Sequence, residues 1–392
     1  MSPENRTFIR IAEPEEPLAQ APLRAQKGRG AVGNIAHRFH QQQRSAEDDG
    51  WQHPLTDNDS EDSERSLKTQ VQAVQAKTIL SRNQSPDLPF SVSLNPYQGC
   101  EHGCIYCYAR PSHSYLELSP GLDFETRLFA KTNAPELLKK ALLKPGYHPE
   151  PIAVGVNTDA YQPCEREFGI TRQVLEILHR SRHPVAMITK SSLIERDIDL
   201  LSEMAAQRKA TAAITLTTLD ADLARILEPR ATTPARRLRT IRMLSDAGIP
   251  VCVSIAPVIP FITEPDLEKV IEAAADAGAH SAGYIVLRLP QELNPLFQEW
   301  LQTHFPDRAA RVMNRVRDMR GGADYVADFA QRMKGTGIWA DLIRQRFEKA
   351  AARCGIQDRG RHFKGLSTAD FRPDLLMSGL QNVADAGQLS LF

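Results

Sequence analysis

The chain has 392 residues, enough for one barrel-sized domain with extensions or for two ordinary domains, so size excludes nothing globular. Its 48 Lys and Arg cancel its 48 Asp and Glu, which excludes a whole-molecule field that gathers polyanions and leaves any nucleic-acid contact to local patches. The six cysteines do not make a secreted disulfide framework, and neither a basic-then-apolar leader nor a run of about eighteen apolar residues occurs; a soluble, cytoplasmic protein with no membrane association is expected.

Residues 1–65 read as a disordered N-terminal segment. From Glu47 to Glu64 it carries eight acidic residues and no Lys or Arg, and such a stretch buries too little apolar surface to offset its ordering entropy. The KGRGAVGN arm is either a phosphate contact or a solvated segment.

Over residues 66–305, apolar runs alternate with amphipathic stretches, the pattern of βα units and a parallel sheet. Six units follow one another: FSVSLNPYQGC with APELLKKALLK, IAVGVNT with TRQVLEILHRSR, VAMITKS with SLIERDIDLLSEMAAQ, TAAITLTT with two helical stretches around LEPRATTP, VCVSIAPVIP with DLEKVIEAAADAG, and AGYIVLRLP with QELNPLFQEWLQTHF. The strands are short, continuous and β-branched, as strands buried on both faces are. Asp220 is placed to cap a helix, and Ala247-Gly248 and Ala277-Gly278 to close two others. The fold class expected is α/β, a partial (β/α)6 barrel of the TIM type, with a helical or irregular extension over 306–382 and a flexible tail, 383–392, ending in QLSLF. In such barrels the carboxyl ends of the strands carry the active face.

GCEHGCIYCYAR follows the first of those ends and places Cys100, Cys104 and Cys107 together. Thiolates suit zinc or iron–sulfur clusters, whose usual protein shell has four ligands. With three cysteines on a [4Fe–4S] cluster, one iron keeps an open position for an external donor. The alternative is a structural zinc completed by His102 or His113.

The spacing C-x3-C-x2-C, with the aromatic Tyr106 before the last cysteine, resembles the radical S-adenosylmethionine (SAM) superfamily, and NPYQGCEHGCIYCYAR, NTDAYQPCE, RILEPRA and APVIP are similar to its spore-photoproduct-lyase-like group. The resemblance spans roughly residues 85–305. It implies a [4Fe–4S] cluster on Cys100, Cys104 and Cys107, SAM on the open iron, and a 5′-deoxyadenosyl radical that removes hydrogen from substrate. It also implies that the Tyr106 backbone lies near the adenine. Thr158 and Asp159 stand where the family's loop for the SAM amino group would be, although NTDAYQP replaces the usual Gly-Gly-Glu pattern. Lys190 is a candidate for the SAM carboxylate and Ser254 for the ribose, each against a structural alternative, a surface ion pair and a small core residue respectively. Cys164 and Tyr161 are weak candidates for donating hydrogen to a substrate radical, and an isolated cysteine is more often a small hydrophobe. Glu228 and Arg230 either pair locally or face substrate. Arg288, among apolar residues, needs an anion, either a protein carboxylate or a substrate phosphate. Cys252 reads as core and Cys354 as a packed helix end.

The extension offers Tyr325, Phe329 and Trp339 either as base-stacking platforms or as docking aromatics. The terminal Gln388, Leu389, Ser390, Leu391 and Phe392 resemble the motif that binds the bacterial DNA sliding clamp. The expectation is a radical SAM enzyme acting on DNA, delivered by the clamp and reduced by a flavodoxin-type donor. The rivals are radical modification of RNA or protein, and a non-catalytic, metal-containing clamp adaptor.

Overall fold

Six apolar runs lie side by side as parallel strands in a computed structural model that describes residues 25–39, 67–358 and 365–377. They are β1 (Val92–Leu94), β2 (Ile152–Val154), β3 (Val185–Thr189), β4 (Ala210–Thr215), β5 (Val251–Val258) and β6 (Ser281–Val286). Neighbours in sequence are neighbours in the sheet, with Val92 opposite Ile152, Ile152 opposite Val185, Val185 opposite Ala210, Ala212 opposite Val251, and Cys252 opposite Ser281. Every residue of β1, β2 and β4 is buried. Burial on both faces is what an unbroken apolar strand requires, and helices provide the outer cover. The sheet stays open: Leu80–Arg82 pairs antiparallel with β1 at one edge, and β7 (Gln357–Asp358) runs parallel to β6 at the other.

The covering helices are α1 (Ala134–Leu142), α2 (Ile170–Arg180), α3 (Ile198–Ala206), α4 (Pro234–Asp246), α5 (Leu267–Asp276) and α6 (Leu293–His304). Their buried sides follow helical spacing: Ile170, Val174 and Leu178 in α2, Leu267, Val270, Ile271 and Ala274 in α5. Asp220 accepts from the amides of Asp222 (2.8 Å) and Leu223 (3.0 Å) and starts the short helix Ala221–Leu227. Ala247 and Ala277 end α4 and α5, each before a glycine in the left-handed region. Cys252 is core, and Cys354 closes the helix Ile338–Arg353 as expected.

Two elements lie beyond the sequence reading. A small second sheet joins Gln70–Val74 to Arg127–Lys131, which pairs with Tyr97–Gln98. It grips the chain immediately before Cys100. The expected disorder of residues 1–65 also does not extend to residues 25–39: Arg29, Ala31 and Val32 are buried there. The extension is integral to the sheet, since α7 (Pro306–Asp318) packs on α6, α8 (Ile338–Arg353) packs on α5, and β7 prolongs the sheet. Arg346 of α8 grips both carboxylate oxygens of Glu268 (2.6 and 2.7 Å). The QLSLF tail lies outside the described residues. No helix among the described residues is long and apolar enough to cross a membrane.

Residues 365–377 dock through an aromatic contact. The ring of Phe371 meets His183 edge-on at 5.3 Å; His183 is fully buried, its Nδ1 faces the Pro184 carbonyl (3.0 Å) and its Nε2 faces the Tyr147 hydroxyl (2.8 Å). A carbonyl only accepts, so Nδ1 carries a proton, and the neutral ring accepts from the Tyr147 hydroxyl at Nε2. Burial pushes its pKa down to about 4, against the bond to Pro184. The unfolded ring titrates near about 6.5. Between these values only the unfolded chain gains a proton, so this contribution to stability is lost as pH falls. The melting temperature of wild type is therefore expected to drop more between about pH 7 and about pH 5 than that of His183→Gln, which has no proton to take up; equal drops in thermal denaturation would refute the assignment.

Candidate active site

The cysteine loop is built from turns. Cys100 N–H donates to Phe124 O (2.9 Å), Gly103 N–H to Cys100 O (3.3 Å), Cys107 N–H to Cys104 O (3.2 Å) and Ile105 N–H to Leu227 O (3.1 Å). Gly103 has φ +68°, and a Cβ there would lie 2.7 Å from a Glu125 carboxylate oxygen, so both its conformation and its space favour glycine. Beneath the loop Arg110 is fully buried. Its guanidinium donates to the carbonyls of Cys104 (2.9 Å), Gly103 (3.1 Å), Pro120 (3.0 Å) and Gly121 (3.0 Å) and pairs with Glu125 (2.5 Å). The other donors to Glu125 come from the N-terminal segment, the amides of Gly30 (3.0 Å) and Ala31 (2.9 Å). A Cβ on Gly30 would sit 1.8 Å from Gly103 O, so only glycine lets the two backbones meet.

All three cysteines line one cavity of about 580 Å³ at the carboxyl ends of the strands, together with Tyr106, Thr158, Asp159, Lys190, Ser254 and Arg288. Sequence reasoning reaches Thr158, Asp159 and Lys190 from their positions after strands, Ser254 and Arg288 from their places on the fifth and sixth strands, and Tyr106 from the resemblance. Burial pushes the thiols of Cys100 and Cys104 up, with the Lys190 ammonium opposing it at Cys104. Such thiols stay protonated unless a metal centre takes the proton's place. Three cysteine thiols on one cavity wall are the donor chemistry of an iron–sulfur cluster. Of the two histidines considered for a zinc site, His102 lines the cavity with the cysteines and His113 does not. His102 Nδ1 lies 3.3 Å from Asp159, off the line of a good hydrogen bond, and His113 faces the Arg127 carbonyl (3.0 Å) and the edge of Phe124, away from the cavity wall.

Asp159 and Thr158 line the cavity but spend their side chains on the frame. Asp159 accepts from Thr189 Oγ1 (2.7 Å), Lys190 N–H (2.8 Å) and Tyr161 N–H (2.9 Å). Burial would raise its carboxyl, but His102 and these donors hold it down at about 2. Thr158 Oγ1 donates to Tyr97 O (2.9 Å). Lys190 makes no ion pair among the described residues; its ammonium stands 5.8 Å above the Tyr106 ring, beside the cysteines. The surface-pair alternative for Lys190 is therefore set aside.

Four candidates fall elsewhere. Glu228 and Arg230 neither pair with each other nor line the cavity: buried Glu228 takes the Tyr106 hydroxyl and the Arg237 guanidinium, while Arg230 pairs with Glu101 (2.6 Å). The LEPRA loop braces the cysteine loop from outside. Tyr161, fully buried, donates to Asp197 (3.0 Å), and Cys164 packs in the main apolar core with its thiol pushed up by burial. Neither is on the cavity wall, so neither is positioned to donate hydrogen there. The sequence reading missed Arg110, Glu125 and Arg237, whose only signal is an unlocated need for buried charges to pair. It also missed Met333, Lys334 and Phe347, by which the extension closes the cavity.

Residues 94–274 match the family model of the radical SAM superfamily. The chain is 35% identical over 232 residues to the uncharacterized protein Rv2578c of Mycobacterium tuberculosis, covering 59% of this chain and 68% of that one. The chain belongs to the radical SAM superfamily. Members of this superfamily use a [4Fe–4S] cluster and SAM, and the matched span contains Cys100, Cys104, Cys107, Lys190 and Ser254. The uncharacterized protein MJ0683 of Methanocaldococcus jannaschii is 24% identical over 250 residues, 64% of this chain and 89% of that one. Among solved structures, spore photoproduct lyase complexed with dinucleoside spore photoproduct superposes with a TM-score of 0.49 at 13% identity, over 74% of this chain and 81% of that chain.

Two outcomes follow for the radical SAM site. Anaerobic reconstitution should give about four irons per chain, and Cys104→Ala should lose the cluster's absorbance and most of the iron; full iron retention by that variant would contradict the ligand set. Arg237→Met leaves the Glu228 carboxylate buried without its cation and should cost about 3–5 kcal/mol in chemical denaturation, against which a neutral result would show that Glu228 is otherwise satisfied.

Proposed function

We propose that this radical SAM protein cleaves SAM reductively and uses the resulting radical on a nucleic acid, with repair of a DNA lesion or modification of a base as the reaction. The observation that carries the reading is the pairing, in one cavity, of three thiols, two of them buried, with two cations, Lys190 and Arg288, that make no ion pair among the described residues. When bound, the cluster supplies the electron that cleaves SAM to a 5′-deoxyadenosyl radical, which abstracts hydrogen from substrate.

The protein's share of this chemistry is placement and shielding. Lys190, beside Cys104, is suited to the carboxylate of SAM; Ser254, buried on β5 and facing the same cavity, to the ribose; the backbone at Tyr106, to the adenine. Asp159 holds the loop after β2 against the end of β3 and Thr158 ties it to Tyr97, which suits that loop's backbone to the amino group. Apolar walls from Ile188, Pro257, Val286 and Phe347 keep water from a reactive radical.

The DNA assignment draws on the resemblance of the cysteine and LEPRA stretches to the spore-photoproduct-lyase-like group and on the QLSLF terminus, which suits a sliding clamp. Tethering raises the local concentration of DNA for a chain whose charges cancel. A flavodoxin-type protein is the proposed reductant, and the setting is cytoplasmic. RNA or protein modification is the second reading, because the same cavity chemistry serves it.

With dithionite and SAM, reconstituted full-length protein should release 5′-deoxyadenosine, and so should a chain lacking residues 388–392, while only the full chain should bind the sliding clamp in surface plasmon resonance. Absence of 5′-deoxyadenosine would overturn the radical reading, and clamp binding by the shortened chain would remove the tail's role.

A further inference from the structure

Arg288 follows β6 between buried Leu287 and Leu289. Its guanidinium carbon lies 5.1 Å over the ring of Tyr108. Nη1 reaches the sulfur of Met333 at 3.6 Å, a weak acceptor, and Nε is buried with no hydrogen-bond partner. Asp87, also on the cavity wall, gives both carboxylate oxygens to Arg332 (2.6 Å each). A part-buried guanidinium whose protein contacts are an aromatic face and a thioether keeps its planar fork for something else, and that fork matches an oxyanion.

The surroundings narrow the class of oxyanion. Tyr108 is 45% exposed and Phe329 is 47% exposed, which is uncommon for large aromatics in a packed fold. Each carries a guanidinium on its face, Arg288 on Tyr108 and, at 4.5 Å, Arg332 on Phe329. Phe329 and Arg332 do not line the cavity themselves, but Arg332 grips Asp87, which does, so this second pair stands at the rim of the cavity mouth beside the first. Exposed rings interleaved with cations are what a single-stranded nucleic acid engages, bases by stacking and phosphates by charge. An acidic peptide would use the cations and leave the rings unused.

We infer that this mouth is a single-strand nucleic-acid subsite in which Arg288 takes the non-bridging oxygens of one phosphodiester and Phe329 supports a neighbouring base. The inference deepens the proposed function by assigning substrate recognition to residues remote from the cysteines, and it rests on that reading only for which nucleotide is attacked. It also gives the extension a role in specificity, because Phe329, Arg332 and Met333 all lie after α7.

The test is fluorescence anisotropy of a short labelled single-stranded oligodeoxynucleotide with reconstituted full-length protein. Arg288→Ala should weaken binding about tenfold, Arg288→Lys should lie between it and wild type, and Phe329→Ala should lose about fivefold. A methylphosphonate oligonucleotide, which keeps the bases and removes the backbone charge, should bind wild type as weakly as the charged strand binds Arg288→Ala, with no further loss in that variant. Far-ultraviolet dichroism of each variant checks that it is folded. Equal binding of charged and neutral strands, undiminished binding by Arg288→Ala, or no binding by wild type would overturn the inference; displacement of the strand by polyglutamate at equal charge would assign the mouth to acidic polypeptides instead. Release of 5′-deoxyadenosine by the same wild-type preparation is read separately, so release without strand binding defeats this inference alone, and strand binding without release defeats the radical reading alone.

Discussion

The guanidinium of Arg110 is wholly removed from solvent yet donates to four carbonyls and one carboxylate, Glu125. A buried charge is tolerable only when its donors are met, and here the acceptors tie the turns that carry the cysteines, at Gly103 and Cys104, to Pro120, Gly121 and Glu125. The cysteine loop has little regular structure of its own, so its shape is held by this inward-pointing fork rather than by a ladder of backbone bonds. Glu125 extends the constraint to the amides of Gly30 and Ala31, and the N-terminal segment becomes part of the floor beneath the site.

A second buried pair works from the opposite side. Glu228 and Arg237 join the LEPRA loop to α4, and the Tyr106 hydroxyl ties the cysteine loop to the same carboxylate. Glu101 and Arg230 add a bond at the rim. Charges that look suited to substrate from their position after a strand are consumed in holding the thiols, and the two cations left over, Lys190 and Arg288, stand at the cavity. The partition follows from desolvation: away from the cavity water is absent and every charge must be matched within the protein, whereas the cavity leaves room for an outside anion.

The sheet sets where these groups meet. Parallel strands with short βα connections bring six strand ends to one rim, which is why residues far apart in sequence, Cys100, Asp159, Lys190, Ser254 and Arg288, line one space. The extension then completes the wall, with α8 against α5 and β7 beside β6. Enclosure suits radical chemistry, in which an exposed intermediate would be quenched.

The sequence alone determined the six repeating units, their strand and helix order and the cluster-type cysteine loop, because these depend on local periodicity and on spacing within eight consecutive residues, Cys100 to Cys107. It also pointed to Lys190 after the third strand, Ser254 on the fifth and Arg288 at the end of the sixth, all of which line the one cavity. Only the tertiary structure decided that Glu228 pairs with Arg237 rather than Arg230, that Tyr161 and Cys164 point into packed core, that residues 25–39 brace the cysteine loop, and that Met333, Lys334 and Phe347 complete the cavity wall. Ion pairing, close backbone approach and cavity walls are set by which surfaces meet across long sequence separations, and no local pattern of residue types encodes that meeting.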